Sequence, residues 1–353
     1  MTNIRRMFFG GNTVVGFYSL HNNIVNENRR KLYILKGMPG GGKSSLMKKI
    51  GEQLLNKNFT VEFHHCPTDP SSLDSIFIWE LKTAIVDGTA PHIIEPVYPG
   101  LKDELIELAQ FVDKKKLKLK EKEIIEAKAA NKRAYFNVFS YLKAVKHIHD
   151  IIVEKNRHAV DFEKVNKRTR LIIDEIFSKK EMAVKNNIFK ERHAFSAANS
   201  PKGLVDYTDT ILKDIGTVYY VKGEKGTGKS TLIKKIYQIA TIRDYTVEVY
   251  RNAIFPEKYE TLIVKELDTC ITSNGNGEKY ATNIVDLNEF FNEKVIDRKD
   301  YEIYKLLMEK ATLSLKEASK NHNIIEKIYI PTIDYQGINK IKDNLLKEIL
   351  SLA

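Results

Sequence analysis

The chain has 353 residues, 42% of them apolar and 29% charged, with a formal net charge of +11. That length predicts about two domains with ordinary cores. The two cysteines, Cys66 and Cys270, exclude a disulfide framework, and no run of 18 apolar residues predicts a membrane span.

An N-terminal segment carrying Arg5, Phe8, Asn12 and Gly16 leads to a short apolar run, Leu32-Tyr33-Ile34-Leu35, predicted as a strand. Gly37-Met38-Pro39-Gly40-Gly41-Gly42-Lys43-Ser44 follows, and then a helix-like stretch from Leu46 to Leu55. The eight residues satisfy G-x-x-x-x-G-K-[ST], and strand, loop and helix form the context in which that pattern carries meaning. Glycine at 37, 40, 41 and 42 lets the backbone wrap phosphate oxygens and take positive φ. The amides of the loop and of the first helical turn, through Ser45, would point at the anion. Lys43 is placed to bridge β- and γ-phosphates, and the Ser44 hydroxyl to ligate Mg²⁺.

A second strand is predicted from Phe59 to His64. His64, His65, Cys66 and His92 are zinc-type donors, but their spacing matches no structural zinc pattern, and neighbouring His64 and His65 point to opposite strand faces. Glu80 precedes a third apolar run, Thr83 to Val86, which empties into Asp87-Gly88. A triphosphate site needs an acid at the end of a neighbouring strand, so Asp87 is the expected Mg²⁺-associated acid. Glu80 is a candidate water-orienting base, with a solvated turn carboxylate as the alternative. His92, in the loop after Asp87, is a candidate γ-phosphate sensor. A proline-free helical region is predicted from about Asp103 to Phe177. Within it, Arg170-Leu171-Ile172-Ile173-Asp174-Glu175 mimics the strand-Asp-Glu signature of hydrolysing ATPases. Phe162, Val165, Ile172 and Ile176 nevertheless recur at helical spacing, so a helix is expected there.

From Glu191 the pattern begins again. Arg192, Phe195, Asn199 and Gly203 repeat Arg5, Phe8, Asn12 and Gly16. Gly223-Glu224-Lys225-Gly226-Thr227-Gly228-Lys229-Ser230 repeats the glycine loop at an offset of 186 residues. It lies between a strand-like run (218–221) and a helix-like stretch (232–239). Gly223, Gly226, Thr227, Gly228, Lys229, Ser230 and Thr231 are the expected contacts, with Ser230 toward a metal. At the same offset Thr60-Val61-Glu62 matches Thr246-Val247-Glu248, and Glu80-Leu81 matches Glu266-Leu267. Further on the offset shrinks, pairing Phe111 with Phe290 and Asp161-Phe162 with Asp334-Tyr335. Strands are expected at 245–250 and 269–272, helix from about Asn288 to Asn321, a strand at Lys327 to Ile330, and a closing helix.

The expected architecture is α/β: two tandem phosphate-loop lobes, 1–190 and 191–353, each a compact parallel sheet flanked by helices. Long helical insertions are expected at about 101–180 and 285–323. The counterpart of Asp87 is Ser273, followed by Asn274. Hydrolysis is therefore expected of lobe one, and binding or regulation of lobe two. Arg5 and Arg192 read either as an arginine finger reaching across lobes or as a surface residue of a repeated cap. The absence of an Asn-Lys-x-Asp guanine motif favours ATP over GTP.

Met1 to Gly11 lacks the long apolar core of a signal peptide, so a cytoplasmic protein is expected. The positive charge permits nucleic acid as a partner. Much of it, however, is lysine on helix-like stretches such as 114–120, without interleaved aromatics.

The chain resembles, over essentially its whole length, the tandem P-loop ATPases of clostridia and bacilli sometimes described as predicted nucleotide kinases. The resemblance rests on Phe8-Phe9-Gly10-Gly11-Asn12, both glycine loops, Ser72-Leu73-Asp74, the segment Ala84 to His92, and Pro201-Lys202-Gly203. Ile78-Trp79-Glu80 departs from relatives that tend to carry a proline. The resemblance implies ATP binding and a duplicated α/β fold, and names no substrate. Three readings follow: a Mg²⁺-dependent ATPase acting on an unknown partner, a nucleotide or small-molecule kinase, and a non-enzymatic ATP-gated binding module, the last with nucleic acid as a candidate partner.

Overall fold

The computed structural model describes residues 4–91, 93–184 and 187–353. In the first half, β1 (Ile4–Met7), the hairpin of β2 (Gly10–Thr13) and β3 (Gly16–Ser19), β4 (Lys31–Lys36), α1 (Lys43–Leu55) and β5 (Val61–His65) come in order. They are followed by β6 (Leu73–Ile78), β7 (Thr83–Asp87), β8 (Asp103–Glu107), α2 (Lys114–Lys118), α3 (Glu121–Arg157) and α4 (Phe162–Phe177). The second half begins with β9 (Glu191–Ala194), β10 (Ala197–Ser200), β11 (Gly203–Asp206), α5 (Thr208–Leu212), β12 (Thr217–Lys222) and α6 (Lys229–Ile242). It continues through β13 (Val247–Arg251), β14 (Tyr259–Val264), β15 (Thr269–Thr272), β16 (Asn283–Asp286), α7 (Arg298–Tyr329) and α8 (Tyr335–Ser351).

Each half forms a six-stranded sheet with the same order: β1-β5-β6-β7-β4-β8, and β9-β13-β14-β15-β12-β16. The sheets are mixed rather than parallel. β6 runs antiparallel to both β5 and β7, and β14 does the same between β13 and β15. The reason is connection length: short turns join β5 to β6 and β6 to β7, and a parallel pairing needs a crossover of a dozen residues or more. The helical expectation for Asp103 onward is also corrected, because Asp103–Glu107 is strand β8, paired parallel to β4. The strand expected at Lys327–Ile330 is the end of α7. Among the described residues no helix is long and apolar enough to cross a membrane.

An approximate two-fold axis relates the halves. Phe8 and Phe195 exchange backbone hydrogen bonds (2.9 and 2.8 Å). The Asn12 Nδ2 donates to the Asn199 carbonyl (3.1 Å), and the Asn199 Nδ2 to the Asn12 carbonyl (3.0 Å). Beside the axis, Arg5 donates to Glu62 of its own half (2.9 Å) and to Glu248 and Tyr250 of the other. Arg192 donates to Glu62 at 2.6 Å. Burial raises the Glu62 pKa, but the Arg192 and Arg5 guanidiniums outweigh it and hold the carboxyl far below the usual range. Both arginines therefore clamp the halves together. Neither expectation for them, a finger at a phosphate or a surface residue of a cap, describes this position.

The halves also exchange helices. The α4 residues Val165, Ile172 and Ile176 belong to the core of the second sheet with Leu232, Ile236 and Ile271. The α8 residues Ile338, Leu345 and Ile349 belong to the core of the first, with Leu46, Ile50 and Ile85. A symmetric bond seals each exchange: the Tyr219 hydroxyl donates to Glu175 (2.7 Å) and the Tyr33 hydroxyl to Glu348 (2.8 Å). Arg170 to Glu175 thus lies on a helix, as its spacing predicts, but that helix serves the opposite lobe. Long α3 and α7 pack along each other and run between the two sites. At 37 and 32 residues they span roughly 55 and 48 Å.

Candidate functional site

The glycine loop of lobe one leaves β4 at its C-terminal end and enters α1. Gly40 and Gly42 take φ of +70° and +76°, the left-handed region that glycine reaches without penalty. Gly42 sits at the N-cap of α1 with no side-chain cap, so the first amides of the helix face the loop. A Cβ on Gly41 would lie 2.9 Å from the Met38 carbonyl oxygen, closing the turn that makes the cradle. Lys43 folds over the loop and donates to the carbonyls of Gly37 (3.2 Å) and Met38 (3.0 Å).

Strand β7 lies directly beside β4, with Leu35 in register with Asp87. This carries Asp87 to the mouth of the loop, where its carboxylate is 3.6 Å from the Lys43 ammonium. Asp87 also accepts from the Thr89 amide (2.9 Å) and hydroxyl (2.5 Å), which fixes its rotamer. The Ser44 hydroxyl accepts from the Leu73 amide at 2.9 Å. Loop, lysine, serine and acid open onto one cavity of about 1120 Å³, to which Ser45 also contributes.

Glu80 lies elsewhere. It occupies the β6–β7 turn, at the opposite end of β7 from Asp87, roughly 13 Å away at the rise of a strand. Its carboxylate grips the Thr60 amide (3.0 and 2.9 Å) and hydroxyl (2.6 Å). Glu266 holds the Thr246 amide in the same way (2.9 and 2.8 Å). Both halves keep this acid because it staples a turn, and the water-orienting role is corrected to that. His64 is buried between Ser75 (2.6 Å) and Glu62 (3.2 Å), and burial pushes its pKa down to about 4. His92 lies outside the described residues. Among the described residues no group of three or more His, Cys, Asp or Glu is placed to hold a metal ion.

The remaining cavity wall comes from distant segments. Asp69 faces it from the β5–β6 connection and Asp74 from the start of β6. The exchanged helices supply the roof: Tyr335 at the start of α8 donates to the Gly40 carbonyl (2.8 Å), and His322 and Glu326 approach from the end of α7. Tyr135 of α3 closes one side, bonded to Thr68 at 2.7 Å. Asp74 has no signal in the sequence beyond its place in Ser72-Leu73-Asp74; Glu260 keeps an acid at the corresponding position of the repeat.

Lobe two repeats the backbone and changes the charges. Gly226 and Gly228 again take positive φ (+89° and +103°), and Lys229 donates to the carbonyls of Gly223 and Glu224. Thr227 donates to the Glu224 carbonyl (2.8 Å). Ser230 and Thr231 lie in the first turn of α6. The end of α3 covers this loop: Asn156 donates to the Lys225 carbonyl (2.8 Å). The Lys225 ammonium lies 4.7 Å from the ring centroids of both Tyr301 and Tyr304. Lys258 donates to His149 Nε2 at 3.1 Å. Burial lowers the Lys229 pKa to about 8; Glu224 opposes that shift, and Lys225 and Lys258 add to it. Glu260 is part-buried, and the burial raises its pKa to about 7 against the Asn252 bond (2.7 Å).

Compared with known proteins, the chain matches no family model, no curated protein and no solved structure.

Proposed function

We propose that lobe one binds ATP with Mg²⁺ and hydrolyses it. The observation that carries this reading is the meeting of Lys43 and Asp87, 3.6 Å apart, at a glycine cradle that opens on a large cavity. The loop amides would hold the β- and γ-phosphates, and Lys43 would exchange its bonds to the Gly37 and Met38 carbonyls for phosphate oxygens. Ser44 and Asp87 would hold Mg²⁺, which supplies charge neutralisation on the phosphates. Water adds to the γ-phosphorus, the bond to the β–γ bridging oxygen breaks, and ADP and phosphate leave. α7 and α8 overhang the loop and narrow the access of solvent to this chemistry. The resemblance to tandem P-loop ATPases points the same way. Lobe two, with Ser273 in place of Asp87, would bind a second phosphate ligand without hydrolysing it.

The cavity favours one further reading. Its outer wall carries Lys128, Asn131, Asn339 and Lys342, a set suited to an anionic acceptor beside the nucleotide. A kinase would consume ATP only when such an acceptor is added, whereas an ATPase releases phosphate without one. Steady-state phosphate release by the full chain, scanned over ATP, GTP and nucleotide acceptors, separates the two. Lys43→Ala is expected to abolish most turnover and Lys229→Ala to spare most of it. Equal loss in both variants would overturn the assignment of catalysis to lobe one.

A further inference from the structure

Five positions around each loop can be superposed through the repeat, and the strand registers confirm the alignment. His65 pairs with Leu73 as Arg251 pairs with Tyr259, and Ser75 pairs with Val86 as Thr261 pairs with Thr272. In lobe one, Asp69, Asp74 and Asp87 line the cavity, with Pro39 and Ser72 beside them. The same places in lobe two hold Phe255, Glu260, Ser273, Lys225 and Lys258. Three acids become one, and two lysines are added to the loop lysine.

The remaining acid is poorly available to a metal. Glu260 is engaged by the side-chain amides of Asn252 (2.7 Å) and Asn274 (3.5 Å). The lysines, in contrast, face neutral partners. Lys225 lies against two tyrosine rings, Lys258 against the Phe255 ring (4.7 Å) and His149, and Lys229 against carbonyls. Glu224, the nearest acid of the loop, accepts from the Tyr301 hydroxyl at 2.9 Å. Glu224, Glu257, Glu260 and Asp150 act on these lysines from further off, but among the described residues none of the three ammonium groups is ion-paired, and three unpaired ammonium groups at one loop favour an anion over a divalent cation there.

We infer that the lobe-two loop binds a polyphosphate tail without Mg²⁺, with Lys225 and Lys258, at the places of Pro39 and Ser72, supplying the positive charge that a metal would supply in lobe one. This rests on the reading of both loops as phosphate cradles and adds the metal requirement of each. The ligand is a nucleoside triphosphate or an inorganic polyphosphate, and the shared chemistry is the chain of phosphate oxygens.

The test is calorimetric titration of the full chain with ATP and with inorganic tripolyphosphate, in Mg²⁺ and in excess EDTA. In Mg²⁺ two ATP sites per chain are expected. In EDTA one site is expected to persist, filled by ATP alone or by both ligands. Lys225→Met with Lys258→Met should weaken that EDTA-resistant site about ten- to a hundredfold, the loss expected for charge-assisted hydrogen bonds. Lys258→Arg, which keeps the charge, should retain most of the affinity and controls for misfolding. Asp87→Asn should instead remove the Mg²⁺-dependent site. Loss of both sites in EDTA would overturn the inference while leaving lobe one's proposed function intact. An EDTA-resistant site indifferent to both lysines would overturn it too. No binding even with Mg²⁺ would end both readings.

Discussion

The clamp between the halves gives the sharpest test of the architecture. Glu62 is fully buried and accepts from Arg5 at 2.9 Å and from Arg192 at 2.6 Å. Glu62→Gln keeps the shape and one acceptor but removes the charge, leaving two guanidiniums to share Glu248. Breaking one partner from a buried ionic cluster costs about 3–5 kcal/mol, because the charge left behind is unpaired. With an m-value of about 3 kcal/mol per molar urea, the unfolding midpoint falls by roughly 1 to 1.7 M. The single tryptophan reports it directly: Trp79 lies edge-on to Phe77 (5.1 Å), and the Arg192 guanidinium is 5.6 Å from its ring. Urea titration followed by Trp79 emission and by circular dichroism should show the shift. Adding Arg192→Met to Glu62→Gln should recover part of the loss, because the orphaned charge is removed. A loss below about 1 kcal/mol, with no recovery in the double variant, would refute the reasoning, since it would mean that the cluster is solvated.

Three other outcomes follow from the same structure. Ile176→Ala, in the exchanged α4, should cost about 2–5 kcal/mol and raise amide exchange in β12 and β15 of lobe two, leaving β4 and β7 of lobe one protected; increased exchange in β4 instead would contradict the helix swap. Glu260 is a carboxyl with a raised folded pKa, so it favours the folded state at acid pH and loses that contribution as pH rises through about 7. Glu260→Gln should therefore gain stability relative to the parent between pH 5 and pH 8.5, by about 1–3 kcal/mol with the screening of a part-buried carboxyl; denaturation at the two pH values measures it, and a pH-independent difference would count against the raised carboxyl. Gly226→Ala places a methyl group at φ +89° and 2.9 Å from the Val153 carbonyl oxygen, and should loosen the end of α3 from the loop, visible as faster amide exchange at 153–157; unchanged exchange would show that the roof is not seated there.

Much of this was legible in the residues. The duplication, both glycine loops, β4, α1, β5 and β7 follow from repeat spacing and short apolar runs. Asp87 was found because a strand ending in Asp-Gly beside the loop strand has few other uses. β6 has a weak signal because Asp74 and Ser75 interrupt Leu73-Asp74-Ser75-Ile76-Phe77-Ile78 just after a Pro-Ser-Ser turn, so that it reads as a connector. Asp-Glu-Leu-Ile-Glu suits helix or strand, and only pairing with β4 makes it β8. Lys327–Ile330 is the reverse case, a short apolar run whose periodicity cannot distinguish strand from helix. Glu80 misled because a repeated acid looks functional, when a repeated turn needs it equally. The exchange of α4 and α8 has no local signature: their apolar stripes specify a partner surface, and two homologous lobes offer nearly the same one.

The central claim is that Lys43 and its loop grip a magnesium nucleotide in lobe one. Equilibrium binding of Mg²⁺·ATP to the full chain and to Lys43→Ala tests it most directly. The structure predicts a site in the parent that is lost or weakened at least about tenfold in the variant, with the fold intact by circular dichroism. Equal affinity in the two proteins, or no binding by the well-folded parent, would contradict it.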